Sequence, residues 1–258
     1  MLSLCIVNFN RHNAMNPLTE FSRKRSSLLA IFLITVGLTG SSLANAETIA
    51  VIGTGDVARA LGPEFAALGH RIVYGSRDPS QQKVIDLVAK TGHGASATTP
   101  AEAADLATIV VIAVPGMVVE TVTRGLGDLS GKIIIDPTNP LGRDDNGFFI
   151  HRVATSNAEI IQAAAPGAFV VKAFNTLDWR TMIDPELAGG PLTIPLVGDN
   201  ESAKATVASL ASAMGFETID LGPLRHARYV EGMLILWINN RFVGGEPFDY
   251  HLRKTRAE

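Results

Sequence analysis

Residues 48–78 read TIAVIGTGDVARALGPEFAALGHRIVYGSRD. Thr48 to Ile52 is β-branched and apolar, the composition of a buried strand. Gly53-Thr54-Gly55-Asp56-Val57-Ala58 is a GxGxxA loop. A helical pattern follows to Leu68, Gly69 stops it, and Arg71 to Tyr74 reads as a second strand. This order suits a bound dinucleotide. Gly53 permits the tight turn off the strand, Gly55 lets the backbone approach a pyrophosphate, and small Ala58 lets the helix pack close to the sheet. The helix start supplies free N–H groups and partial positive charge for the phosphates. Gly62-Pro63 falls inside the helical pattern, where proline removes a backbone donor, so a kink is expected there.

The end of the second strand speaks to which dinucleotide. NAD-binding units usually carry Asp or Glu there, bonded to the ribose 2′-OH. This chain has Gly75-Ser76-Arg77. Ser76 can donate to a phosphate and Arg77 can pair with it through a planar fork, so NADP is expected over NAD.

Upstream, Arg23-Lys24-Arg25 precedes an apolar run from Leu28 to Leu38, and Ala44-Asn45-Ala46 ends an A-x-A site. That is the pattern of a signal peptide over residues 1–46, with an uncleaved anchor as the alternative; cleavage is expected after Ala46 and the mature protein is expected in the periplasm or outside the cell. The run is too short for a comfortable membrane span, so no stable span is expected after cleavage. The chain has 22 basic and 25 acidic residues and a net charge of −3. Loss of the leader makes it more acidic, which argues against a nucleic-acid surface. The single cysteine, Cys5, lies in the leader, so disulfide and thiolate chemistry are not expected in the mature chain. No His, Cys and acidic cluster has metal-ligand spacing, and no metal site is assigned.

Downstream, strands and helices alternate. Thr99-Pro100-Ala101-Glu102 is a capping box with proline at the first helical position. Thr108 to Val114 is a continuous apolar strand, broken at its carboxyl end by Pro115-Gly116, and Lys132 to Asp136 is the next. The pattern predicts an α/β fold, a doubly wound parallel sheet of Rossmann type over residues 47–150, with a small C-terminal α/β domain over 151–258. Residues 141–152 are polar and glycine-bearing and read as a loop or lid. Phe169 to Phe174 and Leu192 to Val197 read as strands, the latter with Pro195 suggesting an edge or a strand end. Leu224 to about Phe242 reads as a helix, apolar all round at Met233 to Ile238, to be buried in the protein or in a homodimer interface.

In order, the segments IGTGDVARAL, VYGSRDP, VVIAVPG, VVKAFNT, VGDNESAK and IDLGPLRHARYVE resemble the deazaflavin-dependent NADP oxidoreductases, which use coenzyme F420, across nearly the whole mature chain. The glycine loop, GSR turn and VKAFN segment are also similar to the NADPH-binding domain of the six-transmembrane metalloreductases. The resemblance implies a Rossmann domain and a small C-terminal domain with the second cofactor between them. It implies that Thr54, Gly55, Asp56 and Val57 hold the pyrophosphate, with Gly53 making the turn of the cofactor-binding loop, and that Ser76 and Arg77 hold the 2′-phosphate. Val114 and Pro115 would flank the nicotinamide, and Asn175 would face the acceptor. A second basic residue common in the family after the GSR arginine is replaced here by Gln81, with Lys83 nearby.

The expected activity is an NADP-dependent oxidoreductase passing hydride between NADP(H) and a deazaflavin or flavin. Ring-to-ring hydride transfer needs alignment and exclusion of water, not a side-chain acid, so no catalytic residue is assigned. Two alternatives stay open. One is a reductase of a small imine or carbonyl compound, like pyrroline-5-carboxylate reductase, which needs a proton donor; Lys172, His151, His226 and Glu231 are the candidates. The other is an NADP(H)-binding protein without turnover. Asn139 is read equally as a nicotinamide ligand and as a turn residue.

Overall fold

A computed structural model describes residues 46–255. The expected leader lies outside these residues but for Ala46, and among the described residues no helix is long and apolar enough to cross a membrane. The first strand, β1 (Thr48–Ile52), leads through Gly53–Gly55 into α1 (Asp56–Ala67), then β2 (Arg71–Gly75), α2 (Gln82–Thr91) and β3 (Ser96–Thr98). The Thr99–Glu102 capping box starts α3 (Pro100–Asp105), as its sequence requires. Then come β4 (Ile109–Ile112), α4 (Val119–Arg124) and β5 (Ile133–Asp136). The residues expected to form a loop hold a small antiparallel hairpin, β6 (Leu141–Arg143) and β7 (Phe149–His151). Arg143 stacks on Phe149 across it, 3.9 Å from guanidinium carbon to ring centre, a cross-strand contact that polarity alone does not announce.

The rest is α5 (Asn157–Ala164), β8 (Phe169–Lys172), α6 (Trp179–Ile183), β9 (Thr193–Gly198), α7 (Glu201–Ala213), β10 (Glu217–Asp220) and α8 (Ala227–Phe242). The main sheet has eight strands in the order β10-β9-β8-β5-β4-β1-β2-β3, parallel except where β9 meets β8. Residue 150 lies in the hairpin, and the strands on either side of it share this one sheet, with β8 in register on β5.

Alternation along each strand separates two apolar layers. Ile49, Val51, Ile109 and Val111 face α1 and α7, while Ala50, Ile52, Val110 and Ile112 face α3, α4, α5 and α8. Helix α1 continues past Pro63 as one element. Its preceding residue, Gly62, sits so close to β2 that a Cβ there would lie 2.0 Å from the Tyr74 hydroxyl. Burial pushes that phenol up to about 12, and it shares a 2.8 Å hydrogen bond with Thr91. Strand β9, despite Pro195, is interior. Pro195 lies between Val197, which pairs with Lys172, and Thr193, whose N–H donates to Tyr250 O, so β8 has ended where the missing donor falls. Helix α8 buries Ala227, Val230, Glu231, Leu234 and Trp237 but leaves Tyr229, Leu236 and Phe242 exposed.

Candidate functional site

The sheet's strand order reverses between β1 and β4, and a cleft opens at their carboxyl ends, the place where such sheets bind ligands. Its volume is about 1100 Å³. One wall is the loop from Gly53 to Val57. Gly53 adopts φ +117°, and a Cβ on it would meet Ala113 O at 2.2 Å, so no other residue fits without moving β4. Gly55 is the N-cap of α1, makes no side-chain cap, and a Cβ there would meet nothing within 4 Å. Open space thus faces the free N–H groups of a 12-residue helix, the cradle a pyrophosphate requires.

At the far wall, Ser76, Arg77, Asp78, Gln81 and Lys83 line the same cleft. The Ser76 hydroxyl donates to Asp78 O at 3.0 Å and accepts from Asp78 N–H at 3.2 Å, which shapes the turn and leaves Arg77 exposed on the cleft edge. Lys83 puts a second cation on the lining of the cleft that Arg77 also lines. These residues fit an adenosine 2′-phosphate.

The opposite end is apolar. Val114, Pro115, Val118, Val122 and Pro137 line it with Thr121 and Thr138, and exposed Met117 adjoins Val118. Nine of the ten expected site residues meet in this cleft: Gly53, Thr54, Gly55, Asp56, Val57, Ser76, Arg77, Val114 and Pro115. Asn175 does not line it. Buried Phe174 takes the left-handed conformation, φ 63°, wedged edge-on between Phe65 and Phe216, and this turns Asn175 inward. There Asn175 Nδ2 donates to Asn139 Oδ1 at 3.0 Å and Val230 O at 3.2 Å, while Asn139 Nδ2 donates to Asn175 O at 3.1 Å. Asn139 is thus tied to Asn175 through both its side-chain nitrogen and its side-chain oxygen.

Under the cleft floor lies a buried ionic cluster that no local motif marks. In-register pairing of β5 and β8 puts Asp136 beside Lys172. Lys172 Nζ donates to Asp136 Oδ2 at 2.7 Å, Thr138 O at 2.5 Å and Glu231 of α8 at 2.6 Å. The side chains of Lys172, Asp136 and Glu231 are all 0% exposed. Glu231 also accepts from Asn157 N–H at 2.9 Å and from His151 Nε2 at 2.8 Å, and Asn239 pairs with both the N–H and C=O of Phe149. Helix α8 thus holds the hairpin at two points. Of the four proton-donor candidates, none lines the cleft. The His226 ring instead lies 2.7 Å from Leu221 O.

A family model described as NADP oxidoreductase, coenzyme F420-dependent, matches residues 48–140. A putative F420-dependent NADP reductase of Arthrobacter, solved by crystallography, is 31% identical, with a TM-score of 0.73 over 81% of this chain and 100% of that one. The F420-dependent NADP reductase of Methanothermobacter marburgensis is 28% identical over 207 residues, 74% of this chain and 91% of that one. Rat metalloreductase STEAP3 is 32% identical over 189 residues, 73% of this chain, which spans 36% of that relative's length.

Proposed function

Since the chain belongs to the coenzyme F420-dependent NADP oxidoreductases, we propose that its hydride partner is a deazaflavin of the F420 type, with a flavin as the second choice. The protein is an NADP-dependent oxidoreductase; the acceptor is the part inferred. Bound NADPH supplies a hydride. The chain holds the pyrophosphate on the Gly53–Val57 loop, pairs the 2′-phosphate with Arg77 and Lys83, and sets the nicotinamide against Val114 and Pro115. The observation that carries the acceptor reading is the apolar ring end of the cleft, opening at Val118 and Met117 with no ionisable side chain on it. A flat ring can stack on that apolar wall.

NADPH oxidation followed against F420, FMN and pyrroline-5-carboxylate tests this. Turnover with F420 is expected; turnover with the imine alone would sink the ring-to-ring reading. Dinucleotide choice gives a separate check. A charge-assisted hydrogen bond contributes about 1.5–3 kcal/mol, so Arg77→Ala should weaken NADPH binding roughly ten- to hundredfold, with Lys83→Ala acting in the same direction more weakly. NADH binding should hardly move in either variant. Equal losses for both dinucleotides in titration calorimetry would refute the 2′-phosphate assignment.

A further inference from the structure

Hydride transfer from NADPH to an oxidised ring leaves a proton to be delivered. NADPH, the ring and one solvent proton become NADP⁺ and the two-electron-reduced ring. The ring end of the cleft has no acid of its own, but an unbroken run of hydrogen bonds reaches it from below. His151 Nε2 meets Glu231 Oε2 at 2.8 Å, Glu231 Oε1 meets Lys172 Nζ at 2.6 Å, Lys172 meets Asp136 Oδ2 at 2.7 Å, and Asp136 Oδ1 accepts from the Thr138 hydroxyl at 2.6 Å. The His151 side chain is 23% exposed, the next three are 0% exposed, and Thr138 lines the cleft beside Pro137.

We propose that His151, Glu231, Lys172, Asp136 and Thr138 form a proton relay from solvent to the acceptor, with Thr138 as the last donor. This rests on the hydride-transfer reading above. A purely structural pair would stop at Asp136 and Lys172. Here a second buried carboxylate extends the cluster to an imidazole at the surface. The two nitrogens of that imidazole face Glu231 Oε2 and Val153 O at 2.8 and 2.9 Å. A backbone carbonyl only accepts and the carboxylate accepts, so both bonds are made when both ring nitrogens carry hydrogen.

In turnover the Thr138 hydroxyl proton goes to the reduced ring while Asp136, protonated from Lys172, refills Thr138. His151 then protonates Glu231, Glu231 passes that proton to Lys172, and water refills His151. Each group loses one proton and gains one, and the hydride alone carries the two electrons.

The test uses the full chain, with NADPH and F420, and with FMN in parallel, in water and in deuterium oxide. Thr138→Val removes the hydroxyl at nearly constant volume, Thr138→Ser restores it, and His151→Ala opens the outer end. We expect kcat to fall about tenfold or more in Thr138→Val and His151→Ala, with the NADPH Kd unchanged and a larger solvent isotope effect. Thr138→Ser should recover the rate. Added imidazole should rescue His151→Ala but not Thr138→Val. Apart from turnover, nitrogen NMR of the cofactor-free protein should show both His151 ring nitrogens protonated, a state lost in Glu231→Gln.

His151 sits at the surface, so its variant keeps the test open should Thr138→Val fail to fold. An undiminished kcat in Thr138→Val, a folded His151→Ala that imidazole does not restore, or a singly protonated His151 ring overturns the relay and leaves the hydride reading standing. A wild-type protein that binds NADPH yet oxidises it with neither acceptor overturns both.

Discussion

Lys172→Met should destabilise the folded chain by about 3–5 kcal/mol, the usual consequence of removing one partner from a buried ion pair. The methionine fills similar space, so the loss is electrostatic. It leaves the carboxylates of Asp136 and Glu231, both 0% exposed, without the cation that bonds them at 2.7 and 2.6 Å. The carbonyl of Thr138 also loses its 2.5 Å donor, and with it the backbone at the ring end of the cleft loses its support. A second change, Glu231→Gln, should return part of the loss, because the remaining buried charges then come closer to balance. Urea unfolding of the two single variants and the double variant reads this directly. Additive losses would mean that Lys172 and Glu231 do not interact as their geometry states.

The second large effect separates two glycines that look alike in the loop. Gly53→Ala forces a side chain into φ +117° and against Ala113 O at 2.2 Å. It should cost about 1–3 kcal/mol of stability and weaken NADPH binding at least tenfold, because β1, β4 and the loop must shift apart. Gly55→Ala meets nothing within 4 Å. It should leave the folded protein nearly as stable, an N-cap exchange of modest cost, while its methyl occupies the space a pyrophosphate needs. The expected pattern is loss of binding in both and loss of Tm in Gly53→Ala alone. A Gly55→Ala protein that binds NADPH normally would remove the pyrophosphate from that loop.

What was legible in the sequence was local. The β-branched run, the glycine loop and the GSR turn each carry their signal within a few residues, and so does the Thr99–Glu102 capping box, which forms as written. The hairpin at 141–152 was not, because its strands are three residues each and owe their order to contacts with α8, 90 residues away at Asn239. Pro195 suggested an edge because the sequence shows a missing donor but not that β8 ends short of it. Asn175 belonged to a recognisable segment, yet its side chain is bonded to Asn139 and Val230 and is not among the residues lining the cleft. The ionic cluster had one clue. Lys172 alternates with apolar neighbours, so a strand would bury it, but its partners at positions 136, 151 and 231 become neighbours only through sheet register and the packing of α8.

That cluster also imposes an order on a chain made from its amino end. The dinucleotide loop is complete once β1, α1, β2 and β4 have emerged, well before Glu231 leaves the ribosome. Until then the Lys172 ammonium lacks one of its two carboxylates and the hairpin lacks both of its anchors on α8. Until Glu231 arrives, the seam beneath the ring end stays open to water. Closing that seam is a late event, joining residues separated by up to 95 positions. A ribosome-bound chain that stops short of α8 therefore carries the whole glycine loop above a reaction chamber that has not yet been sealed.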